Sequence, residues 1–236
     1  KANMAAELHD WNFERTIKAA TEAWNTELAK MRITTADEAA KRVFYTGLYH
    51  TMVAPSEFCD VNGDYRGADG QMHKNPGYTT YTTYSLWDTY RASMPLMTIM
   101  HPERMTDMVN TMLAINDEQG RLPVWHLWGC ETDCMVGNPG IVPVAEAIVK
   151  NIEGVDKERA FAAIKATAMN EGRGNDLRME YGYIPFDKFD TIEVEYKCDC
   201  ERERMRKKIK ALGKNEIIGM FDEQIFMYGE ECDIHL

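Results

Sequence analysis

Apolar residues recur at helical spacing near the start of the chain. Within residues 11–31 they follow one another at steps of three, four and seven positions, which draws one apolar stripe along an amphipathic helix. The stripe consists of Phe13, Ile17, Trp24, Leu28 and Met31. The pattern predicts a first helix here and a second over residues 38–53, with Thr35 or Asp37 as its cap.

Proline residues mark the next two predicted helices. The segment "SLWDTYRASMPLMTIM", residues 85–100, has helical spacing, and Pro95 is expected to kink it because proline removes a backbone donor and clashes with the preceding turn. Pro102 suits the first turn of the following helix, where a missing N–H costs nothing. The sequence therefore predicts two consecutive helices that meet near residue 101.

After a long loop, a further pair of helices is predicted over residues 142–152 and 156–169. Gly154 separates the two, and Asp156 is expected to cap the second. Residues 201–221 are predicted to form one or two more helices.

A signal for β structure occurs in "YTTYTTY", residues 78–84, whose Thr and Tyr residues favour strands. The segment borders a predicted helix, so either a strand or an extended loop fits it. The predicted class is mainly α, with antiparallel helical hairpins whose long loops gather the functional residues at one rim.

The acidic composition limits the partners of the chain. It has 236 residues and a formal net charge of -11, whereas nucleic acids and anionic membranes require clustered Lys and Arg. No apolar run approaches the roughly 20 residues that span a bilayer. We therefore expect no nucleic-acid partner and no membrane span. The expected ligand is neutral or cationic, and one domain is preferred to two.

No metal ligand is assigned from residue spacing. Cys130 and Cys134 could lie one helical turn apart, but zinc would need two more ligands, so the six cysteines are predicted to be buried free thiols. The segment 60–71 begins like a calcium loop, yet Tyr65 and Gln71 occupy its sixth and twelfth positions. An ordinary turn is the prediction for that segment.

Two long loops carry the candidate chemistry, and the first ends at Trp87 and Asp88. An indole face can cover a sugar ring while a neighbouring carboxylate accepts hydrogen bonds from its hydroxyl groups. The alternative is that Trp87 packs in the core and Asp88 is solvated near a helix start. Sequence spacing leaves both readings open.

The second loop, residues 116–143, places Glu131 among apolar residues. Loss of hydration disfavours the charged form of such an acid and suits it to general acid catalysis. Glycoside hydrolysis needs two carboxyl groups, and Asp88 is a candidate for the second. Alternatively, Glu131 satisfies free backbone amides at a helix N-terminus.

Several longer motifs together resemble one family of enzymes. They are "RVFYTGLYHTMVAP", "DVNGDYRGADGQMH", "YTTYSLWDTYRASMPLMTIMHPER", "GRLPVWHLWGCETDCMVG" and "MEYGYIPFDK". Over roughly residues 11–190 the chain resembles glycoside hydrolase family 92, the calcium-dependent, exo-acting α-mannosidases. The resemblance implies the early part of an (α/α)6 toroid that follows a β-sandwich domain. It also implies inverting release of mannose from α-linked mannosides such as N-glycans or mannan, by a periplasmic or secreted enzyme.

The resemblance also assigns roles to residues. Trp87 and Asp88 match the family's Trp-Asp-Thr motif, which binds the terminal mannose. Glu131 and Thr132 match a Glu-Thr pair that lines the same pocket. The family's general acid and base lie in Glu-Gly-Asn and Gly-Asn-Asp-Asp motifs, and neither string occurs in this chain. The catalytic residues are therefore unassigned, Glu131 remains a candidate, and calcium ligands are expected outside this chain.

Two departures from the family pattern shape the remaining expectations. Residues 137–140 read Gly-Asn-Pro-Gly where the family has a Gly-Tyr-His type sequence, and the resemblance fades beyond about residue 190. The predicted organisation is a family-92-like helical domain over residues 1–190 and a divergent helical segment over 191–236. The leading hypothesis is a partial α-mannosidase catalytic domain, completed by a β-sandwich and the rest of the toroid. The alternatives are a non-catalytic carbohydrate-binding helical module and an inactive structural remnant.

Overall fold

The computed structural model of the chain describes residues 2–8, 10–172 and 174–183. These residues belong to one unit, which spans Lys1–Phe186. The helices predicted over residues 201–221, and the whole predicted segment 191–236, lie outside the described residues. The boundary near residue 190 therefore stays a prediction.

Helices account for most of the regular structure in the described ranges. The helices are α1 (Ala2–Glu7), α2 (Phe13–Leu28), α3 (Glu38–His50), α4 (Leu86–Thr89), α5 (Ser93–Met100), α6 (Pro102–Gln119), α7 (Ile141–Val149), α8 (Lys157–Met169) and α9 (Asn175–Tyr181). The strands are β1 (Ser56–Glu57), β2 (Tyr65–Arg66), β3 (Met72–His73), β4 (Tyr81–Thr82), β5 (Tyr84–Ser85), β6 (Trp125–Leu127) and β7 (Cys130–Glu131). The predicted mainly α class is confirmed. Among the described residues, no helix is both long and apolar enough to cross a membrane.

The first two predicted helices are present as α2 and α3. Asn12 caps α2 by accepting a hydrogen bond from the Arg15 amide, at 3.0 Å. Asp37, and not Thr35, caps α3, because its carboxylate accepts hydrogen bonds from the amides of Ala39 and Ala40. Both helices therefore begin where a polar side chain satisfies amides that the helix itself leaves unpaired.

The apolar stripe of α2 is less buried than its pattern indicates. Phe13 is 73% exposed and Ile17 is 45% exposed, whereas Trp24 and Leu28 are half-buried. None of the residues of α2 is fully buried. The periodicity thus predicted the helix correctly, but the described part of the chain covers only its C-terminal half.

The kink predicted at Pro95 is instead a break between two helices. Helix α4 ends at Thr89 and α5 begins at Ser93, so Pro95 lies in the first turn of α5. A proline ring clashes with the carbonyl four residues earlier, which here belongs to Arg91 in the break. In the first turn the missing N–H would have had no partner in the helix, so the chain restarts a helix just before the proline.

Helix α6 forms the centre of the core. It starts with Pro102 at its first position and ends at Gly120, whose φ of 84° is a left-handed conformation that favours glycine. It packs against α5, α7 and α8. The predicted helical pair is present as α7 and α8, and Asp156 caps α8 by accepting from the Arg159 amide at 3.0 Å. These predictions are confirmed.

Methionine contributes an unusual share of this core. The buried cluster consists of Tyr81, Tyr84, Leu86, Met94, Met97, Met105, Met108, Val109, Met112, Leu113, Ile115, Leu122, Val144, Ala147, Val155, Ala160 and Ala163. Because methionine side chains are unbranched and flexible, they can fill the irregular space between short helices and loops. The cluster joins α4–α8 to the small strands beside them.

Three small antiparallel sheets connect the loops to this helical core. Strand β1 pairs with β4, β2 pairs with β3, and β5, β6 and β7 form a three-stranded sheet. The predicted strand at 78–84 is present only as β4 and β5, which Thr83 separates with a φ of 63°. The other strands were not predicted, because segments of two or three residues are too short to show an alternating pattern.

Candidate functional site

The three-stranded sheet brings the two candidate loops together. Ser85 in β5 lies opposite Trp125 in β6, and His126 in β6 lies opposite Glu131 in β7. Helix α4, which carries Trp87 and Asp88, begins directly after β5, while Glu131 and Thr132 lie at the end of β7. Glu131 therefore lies in this sheet, and Trp87, Asp88 and Thr132 lie in segments that directly follow its strands.

Trp87 and Asp88 lie in the first turn of α4. Trp87 is half-buried and Asp88 is exposed, and the Ser85 hydroxyl donates a short hydrogen bond to the Asp88 carboxylate. The Arg91 guanidinium lies 5.1 Å from the centroid of the Trp87 ring and 4.4 Å from that of Tyr90. Part of the indole is thus occupied by a cation, and Asp88 keeps acceptor capacity that faces solvent.

Glu131 binds backbone amides through both of its carboxylate oxygens. Oε2 accepts from the Val124 amide at 2.7 Å, and Oε1 accepts from the amides of Trp125 at 2.9 Å and Asp133 at 3.1 Å. The Val124 amide lies just before β6, the Trp125 amide lies in β6 and the Asp133 amide lies after β7, so none belongs to a helix N-terminus. The sequence-based alternative, a carboxylate that satisfies free amides, describes this geometry better than a general acid does.

Thr132 also links the segment after β7 to Trp125, through the carbonyl group of that residue. Its hydroxyl donates to the Trp125 carbonyl at 2.8 Å, and its own amide also donates to that carbonyl, at 3.2 Å. Next to it, Asp133 pairs with Arg121 at 2.6 Å. The Glu131–Thr132 segment is thereby fixed against residue 125, which lies opposite Ser85 in the sheet.

His126 is a buried residue behind this segment to which the sequence reasoning gave no role. It is 2% exposed, and within the described residues neither ring nitrogen has a hydrogen-bond partner. Burial lowers the pKa of His126, and the nearby Glu131 carboxylate opposes that shift. The imidazole is therefore kept neutral by its apolar surroundings.

The calcium-like segment forms turns, as predicted, on either side of β2, which the prediction did not include. Asp64 accepts hydrogen bonds from Lys74 at 2.8 Å and from the Asn75 amide at 3.2 Å, and the hydrogen bond from Lys74 lowers the pKa of Asp64. Asn62 also donates to Asp64, at 3.0 Å. Because an ammonium group already holds this carboxylate, the turn does not fit a calcium ion.

A second group of possible ligands was not found from the sequence. One ligand atom from each of Asp69, His73 and Glu118 lies within 4.8 Å of the other two. Calcium prefers oxygen ligands, so a site that includes an imidazole nitrogen does not fit it. Glu118 lies far along the chain from the other two residues, and no local spacing could have revealed the group.

The cysteine prediction can be compared with the structure at three of the six positions, since Cys198, Cys200 and Cys232 lie outside the described residues. At those three it is correct in one respect and wrong in another. Cys59, Cys130 and Cys134 are free, but Cys130 and Cys134 are exposed and Cys59 is half-buried. Cys130 lies in β7, so it cannot lie one helical turn from Cys134. These two residues are exposed because β7 and the loop after it form part of the surface.

One cavity in the described part of the chain lies elsewhere. It has a volume of about 390 Å³ and lies between α2, the end of α3, α5 and α6. Its lining includes Trp24, Glu27, His101 and Arg104, and none of the four site residues named from the sequence borders it. The candidate site residues therefore lie at the sheet and not at this cavity.

Comparison with known proteins gives a consistent family assignment. Residues 1–222 match the Glycosyl hydrolase family 92 catalytic domain. A family GH92 alpha-mannosidase from Bacteroides thetaiotaomicron is similar in structure, with a TM-score of 0.75 and 41% sequence identity. A Family GH92 Inverting Mannosidase from the same organism has a TM-score of 0.71 and 28% identity. The chain covers 25% of the first structure and 27% of the second, while 79% of the chain is matched in each.

Two curated proteins are also similar to the chain. An uncharacterized secreted glycosidase of Arthroderma benhamiae is 24% identical over 194 residues, which make up 78% of the chain and 21% of that protein. A 33 kDa chaperonin of Clostridium botulinum is 36% identical over 59 residues, which make up 24% of the chain and 20% of that protein. The chain thus spans about a fifth of the length of each curated relative.

Proposed function

The chain belongs to glycosyl hydrolase family 92, and from this membership we propose that it supplies the sugar-binding wall of an α-mannosidase catalytic domain. The proposed reaction is hydrolysis of α-linked mannosides with release of mannose. The observation that carries the proposal is the match over residues 1–222, supported by 41% identity to an alpha-mannosidase of known structure. Its helical fold is part of the (α/α)6 toroid of the family's catalytic domain.

We assign the terminal mannose to the surface beside β5. The half-buried Trp87 offers an indole face to the apolar side of the sugar, and the exposed Asp88 carboxylate accepts hydrogen bonds from its hydroxyl groups. The hydrogen bond from Ser85 orients that carboxylate. A neutral, polyhydroxylated ligand matches these groups, because the Asp88 carboxylate still has acceptor capacity and faces solvent.

Glu131 and Thr132 complete this wall, in our proposal, as residues that position the backbone. The three hydrogen bonds that Glu131 accepts fix the amides of Val124, Trp125 and Asp133, and Trp125 lies opposite Ser85 in β5. A carboxylate engaged in this way is poorly placed to deliver a proton to a leaving oxygen. We therefore assign binding, and not proton transfer, to the described residues.

Three finer features of the proposal come from relatives. Inversion is supported by the similar protein described as an inverting mannosidase, and it requires two carboxyl groups about 6.5 to 9.5 Å apart. An exported location is supported by the similar secreted glycosidase. Calcium dependence and N-glycans or mannan as substrates are proposed from family membership, and no described ligand set fits calcium.

The first test is mannoside binding by the full 236-residue chain. Titration with α-1,2-mannobiose, followed by saturation transfer NMR, should show saturable binding, and Trp87→Ala should weaken it about tenfold or more because the aromatic contact is lost. Trp11→Ala is the matched control, since Trp11 is 82% exposed and lies outside the sheet. Absence of binding by folded wild-type chain would contradict the proposed function.

The same NMR samples test whether the chain binds mannosides without hydrolysing them. We expect no release of mannose, because the described residues offer no general acid and base pair. Release of β-mannose would establish inversion and would show that this chain holds both catalytic carboxyl groups. That outcome would contradict the assignment of binding alone.

A further inference from the structure

The β2–β3 hairpin and the end of α6 bring three metal-binding side chains together. Tyr65 in β2 lies opposite His73 in β3, and Asp69 lies in the turn that joins the two strands. Glu118 lies in the last turn of α6. The His73 ring stacks on Tyr65 with centroids 5.3 Å apart, which turns its edge towards this group. The three side chains therefore come from two rigid elements.

The three side chains lie close enough together for one small ion. His73 Nε2 is hydrogen-bonded to Asp69 Oδ2 at 3.0 Å and lies 3.8 Å from Glu118 Oε1, so a bound ion would take the place of the proton shared with Asp69. Bonds of about 2.0 to 2.2 Å in a tetrahedral zinc site place neighbouring ligand atoms roughly 3.3 Å apart. One ligand atom from each of the three residues lies within 4.8 Å of the other two, so side-chain rotation would have to draw them closer to contact one ion.

Hydrogen bonds already orient two of the three ligands. The Tyr65 hydroxyl donates to Glu118 Oε1 at 2.7 Å, and the Ala68 amide donates to Glu118 Oε2 at 2.7 Å. The Gln71 amide donates to Asp69 Oδ1 at 2.8 Å. Such outer hydrogen bonds are typical of metal sites, because they fix the ligands while leaving further lone pairs for the ion. The arrangement is more than a group of acidic side chains.

The charge of the three side chains provides independent support for a bound cation. The Glu118 side chain is only 7% exposed, and within the described ranges no lysine or arginine forms an ion pair with it. A buried carboxylate needs compensation for its lost hydration, and the Tyr65 hydroxyl and the Ala68 amide that bind Glu118 are uncharged donors. A divalent cation would balance Glu118 and Asp69 together.

Gly67 gives the group its compact form. A Cβ atom at this position would lie 2.7 Å from Asp69 Oδ1 and 2.7 Å from His73 Nε2. Only a residue without a side chain lets the backbone come so close to both ligands. By contrast, the Asp69 and His73 side chains are about one-third exposed, so an ion and a water molecule can reach the open side.

We propose that Asp69, His73 and Glu118 bind one divalent transition-metal ion of the zinc type. The imidazole ligand favours such an ion over calcium. The ion would tie the β2–β3 hairpin to α6. A Cβ atom at Gly129, in the β6–β7 turn, would lie 3.1 Å from the Arg66 carbonyl oxygen, so the hairpin supports the turn that leads to Glu131. The role is therefore structural, in support of the candidate sugar site.

The test counts zinc bound to the tag-free, full-length chain. After equilibrium dialysis, His73→Asn and Glu118→Gln should each hold one zinc ion fewer per chain than the wild type. His50→Asn is the matched control, because His50 is exposed on α3 and distant in sequence from the hairpin. Zinc held by cysteines is unchanged by these substitutions, so the difference between variants reports on this site alone.

A second variant separates metal binding from correct folding. Tyr65→Phe keeps all three ligands and removes only the hydroxyl that orients Glu118, so the zinc affinity of this site should fall about 10- to 100-fold with unchanged stoichiometry. Equal zinc content in wild type and His73→Asn would overturn the proposal, as would a folded wild-type chain that binds no zinc. Neither result bears on mannoside binding by Trp87, so the two proposals fail separately.

Discussion

At the scale of single residues, the contacts of Glu131 in the structure differ from those that its neighbours in the sequence suggested. Its position among apolar residues suggested an acid that could be protonated. In the folded chain its carboxylate accepts three backbone hydrogen bonds, from residues on both sides of the β6–β7 turn. Each bond to a charged acceptor contributes more than a neutral one, so the side chain stabilises the turn.

We therefore predict that Glu131→Gln mainly destabilises the fold. One carboxylate oxygen becomes an NH₂ group, whose hydrogens would face backbone N–H groups. The free energy of unfolding should fall by about 1 to 3 kcal/mol, measured by urea denaturation. Glu153→Gln, at an exposed glutamate before α8, should change it by less than about 0.5 kcal/mol. Equal losses in the two variants would contradict a positioning role for Glu131.

At the scale of elements, two helices of similar length differ sharply in burial. Eight residues of α6 are buried, whereas none is buried in α2. Local opening of a helix costs less free energy when few apolar contacts are lost. Helix α2 should therefore open on its own, while α6 should open only with the whole unit.

This difference can be measured by hydrogen exchange with mass spectrometry. Amides of α2 should exchange at least about tenfold faster than amides of α6, after correction for intrinsic rates, because a difference of only 1.4 kcal/mol gives that ratio. Helix α8, which packs against α6 and α7, is the control and should resemble α6. Similar protection of α2 and α6 would mean that something covers the exposed face of α2 in solution.

At the scale of the whole molecule, buried histidines link stability to pH. Burial lowers the pKa of His126 from its ordinary value of 6.5, and burial together with the charge of Lys30 lowers that of His101. Between pH 6.5 and the lower folded-state pKa, the unfolded chain binds more protons than the folded chain. Stability should therefore decrease as the pH falls below 6.5, by up to about 1.4 kcal/mol per pH unit for each such imidazole.

Comparison of urea midpoints at about pH 7.5 and about pH 5.5 tests this linkage. The wild-type midpoint should be lower at the acidic pH, and His126→Gln should show a smaller decrease because its side chain does not titrate. His50→Gln, at an exposed position, should retain the full decrease. Carboxylates with a lowered pKa, such as Glu27 and Asp64, act only below their ordinary values of 4.5 and 3.8. An unchanged decrease in His126→Gln would contradict the assignment.

The sequence by itself determined the features that depend on neighbouring residues. Helical spacing predicted α2, α3, α6, α7 and α8. Local side-chain chemistry narrowed the cap of α3 to Thr35 or Asp37 and predicted Asp156 as the cap of α8 and Pro102 in the first turn of α6. These predictions succeeded because a helix and its cap are set within one or two turns of chain. The family was also recognised from contiguous motifs.

Only the tertiary structure decided the features that depend on distant residues. The pairing of β5, β6 and β7 places the loops that carry Trp87 and Glu131 in one sheet, and strands of two or three residues are too short to show a pattern in the sequence. The partners of Glu131 are backbone amides, which no side-chain motif encodes. Glu118 meets Asp69 and His73 only because α6 ends against the hairpin. Neighbouring residues in the sequence determined the helices and their caps, and packing between these elements determined which chemical groups meet.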